Sequence, residues 1–164
     1  MSASGGGPKS GKPRSIAGVF TGRGRLSLTS SGGDDLDFLI PHRPKLYAVM
    51  RIATGFLFVF HGSHKLFGWP MAVLEGVPAF ITYVAGPIEL VGGLLLVVGL
   101  MVRPTAFLCS GLMAAAYWMG HGTKAVLPIL NDGELAFVLC FVFLFIAAEG
   151  AGIWSIDGRG GDAA

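Results

Sequence analysis

The stretch that most constrains this chain is the run of mainly apolar residues at positions 78–100. A helix needs about 20 such residues to cross the hydrocarbon core of a bilayer, so this run predicts a transmembrane helix. Its one charged residue, Glu89, lies near the midpoint. A carboxylate at that depth is costly unless it is paired, and it therefore marks a candidate functional site whose partner must lie elsewhere in the chain.

The overall composition indicates a membrane protein. The 164 residues are 52% hydrophobic and only 13% charged, whereas charged residues make up about a quarter of a typical soluble domain. The net charge of +2 is too small for a nucleic-acid-binding surface, and the basic residues are concentrated at one end of the chain. No segment near the N-terminus has the length of a signal peptide, so we expect the first transmembrane helix to direct its own insertion.

Composition divides the chain into three regions. Residues 1–45 form a tail rich in Gly, Ser and basic residues. Such a tail cannot bury enough apolar surface to offset the entropy of ordering, so we expect it to be disordered unless a partner orders it. Residues 46–158 contain the apolar runs, and residues 159–164 form a short second tail.

Four apolar runs predict an all-α fold, a bundle of four transmembrane helices. Pro87 lies inside the second run and is expected to kink it close to Glu89. Arg51 lies about one turn inside the first run, from which its side chain can snorkel back to the lipid headgroups. The predicted spans are residues 46–66, 78–100, 104–119 and 134–148.

The distribution of Lys and Arg predicts the orientation. Eight of the twelve lie within residues 1–51, and Arg103 and Arg159 fall on the same side of the predicted bundle. Only Lys65 and Lys124 fall on the opposite side. The positive-inside rule therefore predicts that both termini are cytoplasmic, in a bacterial-type inner membrane.

Polar residues converge in the outer half of this predicted bundle. His61 lies in the first span, Glu89 in the second and His121 at the outer end of the third. We expect Glu89 to point into the bundle, with His61 as its first candidate partner and Lys65 and Tyr83 as the next. A buried carboxyl beside a histidine suits a proton-coupled site for a quinone headgroup, because quinone reduction takes up protons.

A structural role is the alternative for the same residues. Glu89 can be protonated, or bonded to a neighbouring helix whose register it fixes. Lys65, His64 and His121 also suit helix exits at the membrane interface, where polar side chains are ordinary. A metal site is not favoured, because His61 and His64 have no further clustered ligands and the chain has no CxxC motif.

Several short motifs follow one another in order through residues 45–158. They are His61-Gly62-x-x-Lys65, Glu89-x-x-Gly92-Gly93 followed by Gly99-Leu100 and Arg103, Asn131-Asp132-Gly133-Glu134, and Gly150-x-Gly152-x-x-Ser155-x-Asp157. In order and spacing they resemble the DoxX family of small four-helix membrane proteins. The resemblance implies this architecture, and some members are described as subunits of quinone-reducing systems while many have no assigned activity. His61, Lys65, Glu89 and Glu134 match the family pattern, but no catalytic role follows from the match.

Two functional hypotheses follow. The first is a quinone-linked redox subunit in which Glu89, His61 and Lys65 handle protons, and in which His61, Tyr83, Glu89 and His121 form the quinone pocket. The second is a non-enzymatic accessory subunit that packs on other membrane protein subunits through its helices and its N-terminal tail. A small transporter is a weaker third reading, because the chain shows no inverted repeat.

Overall fold

The computed structural model of the chain describes residues 36–72 and 78–160, and every regular element within these ranges is helical. The prediction of an all-α fold is therefore confirmed for the described part of the chain. The expected disorder of the N-terminal tail falls largely on residues 1–35, which lie outside the described residues.

Five α-helices follow one another along the described residues. A short 3₁₀ turn, Asp37–His42, leads into the first, and a second one, Asp157–Gly160, follows the last. Two π-helical turns, Ile81–Ala85 and Tyr117–His121, extend the second helix at its start and the third at its end. The helices are α1 (Arg43–Phe67), α2 (Gly86–Val98), α3 (Val102–Ala116), α4 (Pro128–Asn131) and α5 (Glu134–Glu149).

Within the described residues, two helical segments are long and apolar enough to cross a membrane. They are Asp37–Phe67, of 31 residues, and Ile81–Val98, of 18 residues. The first begins earlier than its predicted start at residue 46. Pro44 suits the first turn of α1, and the 3₁₀ turn Asp37–His42 leads directly into that helix.

The distortion predicted at Pro87 takes the form of a π-helical turn. Pro87 has no backbone N–H and its ring crowds the preceding turn, so regular α-helical hydrogen bonding is interrupted there. The backbone N–H of Gly86 bonds to the carbonyl of Ile81, five residues earlier. Such a local widening is a common solution where a helix must pass a proline or a functional site.

Helices α1 and α2 pack directly through glycines. A Cβ added at Gly55 would lie 2.8 Å from the carbonyl oxygen of Gly93, and one added at Gly93 would lie 2.6 Å from that of Gly55. Only glycine permits this approach of two backbones, as is typical of helix contacts inside membranes. Helices α3 and α5 pack on each other, and the rings of Phe58 and Phe143, 4.4 Å apart, join the two pairs.

Arg51 does not snorkel to the headgroups, and that prediction is wrong. Its side chain is fully buried and donates hydrogen bonds to the carbonyls of Leu96 at the end of α2 and of Trp154, the latter at 2.8 Å. The segment after α5 folds back beneath the α2–α3 turn, where the Asp157 carboxylate accepts a bond from the N–H of Val102 at 3.1 Å. Backbone carbonyls inside the protein thus take the place of lipid phosphates as partners of the two terminal nitrogens of Arg51.

Candidate functional site

Glu89 is paired with Lys65. Both carboxylate oxygens of Glu89 accept hydrogen bonds from the Lys65 ammonium group, which reaches across from α1. The Glu89 side chain is 3% exposed, whereas that of Lys65 is 22% exposed. The carboxylate is therefore enclosed, and the Lys65 side chain is the more accessible member of the pair.

The register of α1 on α2 brings these two residues together. Ala48, Arg51, Gly55, Phe58 and Gly62 are all buried, at alternating spacings of three and four residues, and Lys65 continues the same stripe. Gly62 packs against the backbone of Leu90, the residue after Glu89. One turn of helix separates this close contact from the ion pair, which fixes the distance that the Lys65 side chain must span.

His61, the first candidate partner, does not take that place. Among the described side chains, Lys65 alone hydrogen-bonds to Glu89. His61 is half-buried on α1, one helical turn before Lys65, so the two side chains are neighbours on one face. The adjacent His64 bonds through its Nδ1 to the carbonyl of Met71 at 2.8 Å, and it thereby ties the segment after α1 to the helix.

Tyr83 and His121 lie apart from the pair. Tyr83 is 74% exposed on the π-helical turn that precedes α2, where its ring faces the surroundings of the bundle. His121 bonds through Nδ1 to the carbonyl of Asn131 at 2.9 Å. The described contacts therefore give neither residue a place beside Glu89.

His121 belongs instead to a polar network that holds the loop between α3 and α5. Asn131 is completely buried, donates to the carbonyl of Ala125 at 2.8 Å and accepts from the N–H of Gly133 at 2.8 Å. The hydroxyl of Tyr117 donates to the carbonyl of Val126. The polar side chains of this loop therefore have hydrogen-bond partners within the loop itself.

The site contains an acid–base pair rather than a metal-binding set. In residues 36–72 and 78–160, no three His, Cys, Asp or Glu side chains form a group that could hold a metal ion. A carboxylate that is hydrogen-bonded to an ammonium group can exchange a proton with it, and burial of the carboxylate limits competition from water. The pair is also neutral overall, which lowers the cost of keeping it inside the bundle.

Lys65 was predicted only as a second candidate partner, after His61, although the sequence contains a pattern that favours it. Lys65 lies three residues after Gly62 and so extends the buried stripe of α1, whereas His61 is rotated by about 100° from Gly62 around the helix. Lys65 also has the longer side chain. The buried stripe of α1 therefore favours Lys65 over His61 as the partner of Glu89.

This chain is similar in sequence to known proteins over much of its length. The DoxX family profile matches residues 46–122. An uncharacterised protein of Haemophilus influenzae is 36% identical over 124 residues, which are 72% of this chain and 92% of that protein. A Bacillus subtilis protein named "Putative oxidoreductase CatD" is 27% identical over 113 residues, which are 66% of this chain and 82% of that protein.

No solved structure matches this chain significantly. The Haemophilus influenzae relative aligns over nearly its whole length, and the profile match contains His61, Lys65 and Glu89. On these grounds the chain belongs to the DoxX family.

Proposed function

We propose that this protein crosses the membrane four times, with both termini on the cytoplasmic side of an inner membrane. Helix α3 and its π-helical turn together cover residues 102–121, and α5 covers 16 residues. Large apolar side chains on their outer faces support this arrangement, since Phe107 is 67% exposed and Phe141 is 56% exposed. Lipid is the medium in which such faces are stable.

We further propose that the protein is a quinone-linked redox subunit whose Lys65–Glu89 pair handles protons. The observation that carries this proposal is a buried carboxylate bonded to the ammonium group of a lysine whose side chain is still partly exposed. An ammonium group has three N–H donors, and two of them are taken up by Glu89, so one remains for a carbonyl oxygen of a ligand. The oxidoreductase name of the Bacillus subtilis relative supports the same chemistry.

A quinone, when bound, accepts two electrons and two protons. In this proposal Lys65 contacts the ligand, donates a hydrogen bond to its carbonyl and supplies a proton, while Glu89 orients Lys65 and keeps it protonated. His61, one turn along α1, would return a proton to Lys65 from the outer surface, so that the same route can deliver the second proton of the reduction. The electrons come from a partner subunit of the same membrane complex.

Binding of short-chain ubiquinone and menaquinone analogues to the purified full-length protein tests this proposal. We expect Lys65→Gln to lower the affinity at least about tenfold, because one charge-assisted hydrogen bond is lost. Glu89→Gln should lower quinone-linked electron transfer in membranes, and Glu89→Asp should recover part of it. The matched control is Lys124→Gln with Asp132→Asn, since that ion pair is exposed on both sides.

Two results contradict the quinone proposal. One is the absence of saturable binding of either analogue to the unaltered protein. The other is an affinity and an electron-transfer rate that stay the same in Lys65→Gln and Glu89→Gln. Equal losses in the control variant would assign the effect to surface charge rather than to the buried pair.

The alternative proposal is a non-enzymatic accessory subunit. It is favoured by the fact that both carboxylate oxygens of Glu89 have a hydrogen-bond partner on the neighbouring helix, as expected of a contact that fixes helix register. Gentle solubilisation followed by chemical cross-linking should then recover the chain with other membrane proteins. Recovery of the lone chain under these conditions would count against this role.

A further inference from the structure

A second site lies at the other end of the bundle. A cavity of about 1460 Å³ opens there between the start of α1, the start of α3 and the segment that follows α5. Met50 lines it, and the 15 residues from Met50 to Lys65 place it about 22 Å along α1 from the ion pair. The cavity is therefore distinct from the candidate quinone site.

The charged residues around this cavity are mainly cationic. Arg43, Arg103 and Arg159 line it, against two acidic residues, Glu149 and Asp157. The Asp157 carboxylate already accepts a hydrogen bond from the backbone of α3. The lining thus carries an excess of positive charge that an anion can neutralise.

Arg103 is held in position for such a contact. Its guanidinium donates to the carbonyls of Ala147, Ala148 and Glu149 at the end of α5, the bond to Ala148 being 2.7 Å. A guanidinium has five N–H donors, so two remain for a ligand. A Cβ at Gly150 would lie 3.0 Å from this guanidinium, and Gly150 has φ +94°, so only glycine leaves room for it.

The remaining walls of the cavity are apolar. Leu46, Met50, Met101, Phe145 and Trp154 contribute to them. A free phosphate ion would leave these walls uncovered, and a quinone carries no charge for the arginines. A zwitterionic lipid would bring an ammonium group against the same arginines.

We propose that this cavity binds an anionic phospholipid, with the headgroup phosphate on Arg43, Arg103 and Arg159 and the upper acyl chain along Met101 and Trp154. Basic pockets between transmembrane helices hold anionic lipid headgroups by this combination of charge and apolar contact. The predicted orientation places the cavity at the cytoplasmic leaflet. The bound lipid would link α1, α3 and the segment after α5.

Trp154 provides the reporter, because it lines the cavity and is 58% exposed. In the full chain with Trp69→Phe and Trp118→Phe it is the remaining tryptophan of three. This protein is reconstituted into phosphatidylcholine vesicles that contain a small fraction of brominated phosphatidylglycerol, or the same fraction of brominated phosphatidylcholine. Quenching of Trp154 then measures which lipid occupies the cavity.

We expect brominated phosphatidylglycerol to be preferred over brominated phosphatidylcholine at least about fivefold. The lining has one basic residue in excess, and one such residue contributes about 1 kcal/mol near an anionic lipid. Arg43→Gln with Arg159→Gln leaves Arg103 against Glu149 and Asp157, so the preference should fall below about twofold. Both side chains are exposed and outside the described hydrogen-bond network, so this variant should fold. The control, Lys45→Gln with Lys124→Gln, removes the same charge at two exposed positions outside the cavity lining.

Two results overturn the proposal. Equal quenching by the two brominated lipids in the unaltered protein would show that the cavity does not select an anionic headgroup. An equal loss of preference in the lysine control and in the arginine variant would show that the selection is a general effect of surface charge.

Discussion

Gly62 on α1 and Leu90 on α2 touch backbone to backbone. A Cβ at Gly62 would collide with the N–H and Cα of Leu90 and would lie 2.7 Å from the carbonyl oxygen of Gly86. Because these are main-chain atoms, a methyl group can be accommodated only by separating the two helices. The same separation would pull Lys65 away from Glu89.

Gly62→Ala should therefore destabilise the protein by about 1–3 kcal/mol, the usual cost of overpacking. Thermal unfolding in detergent micelles measures this. Gly111→Ala is the matched control, because a Cβ at Gly111 meets nothing within 4 Å, and alanine favours a helix over glycine by up to about 1 kcal/mol. Equal unfolding temperatures for the two variants would contradict the close contact.

Removing one member of the Lys65–Glu89 pair should cost more than removing both. Lys65→Met leaves a buried carboxylate without its partner, a change that costs about 3–5 kcal/mol in other buried pairs. The double variant Lys65→Met with Glu89→Gln leaves no charge and should recover at least about half of that loss. A double-mutant cycle on unfolding free energies measures the coupling.

The exposed pair Lys124–Asp132 is the control for this cycle. Its groups are 3.8 Å apart and 61% and 87% exposed, so we expect a coupling below about 1 kcal/mol. A coupling no larger than this for Lys65 and Glu89 would show that their contact contributes no more than a surface ion pair.

Arg51→Met should loosen the segment after α5. The variant removes the donors that Arg51 gives to the carbonyls of Leu96 and Trp154, and these buried carbonyls then lack partners. We expect faster hydrogen exchange across residues 150–160 and a loss of at least about 2 kcal/mol. Arg51→Lys should rescue little, because an ammonium group cannot span two separated carbonyls as a guanidinium does.

The control for Arg51 is Lys45→Met, which removes an exposed cation from the same helix. Hydrogen exchange in residues 150–160 should be unchanged in this variant. If Arg51→Met also leaves that exchange unchanged, the hydrogen bonds from Arg51 do not hold the segment.

Asn131→Ala should loosen the loop between α3 and α5 and leave the Lys65–Glu89 region unaffected. The substitution removes both bonds of a fully buried amide, to Ala125 and to Gly133. Each stranded backbone group costs about 1–3 kcal/mol. Hydrogen exchange should rise in residues 122–133 and stay constant in α1, and a rise in both would show that the loop network supports the ion pair.

The helices were largely predictable from the sequence. Their apolar runs are long, and the starts of α1 and α5 lie within three residues of the predicted ones because Pro44 and Glu134 suit first helical turns. The π-helical turn before α2 was predictable only as a distortion near Pro87. Hydrophobicity determines which residues are helical, but it does not determine how a helix relaxes around a missing N–H.

The polar contacts were less predictable, because they depend on the rotation of one helix against another. The acidic chemistry of Glu89 favoured a histidine partner, His61, whereas the buried stripe of α1 favours Lys65. Arg51 lies on the same stripe, but a cation near a predicted helix start is ordinarily assigned to lipid headgroups. Its carbonyl partners around Trp154 lie more than 100 residues further along the chain, so no local pattern reveals them.

The segment that follows α5 has a consequence for the order in which the molecule is assembled. Arg51 obtains two of its carbonyl partners, and Val102 obtains its carboxylate partner, from residues 153–157, which are synthesised after all five helices. Until that segment emerges from the ribosome, Arg51 has hydrogen-bond partners only on α2, at the carbonyls of Leu96 and Val97. Assembly of the helices is thus completed only when the segment after α5 folds back and supplies these hydrogen-bond acceptors.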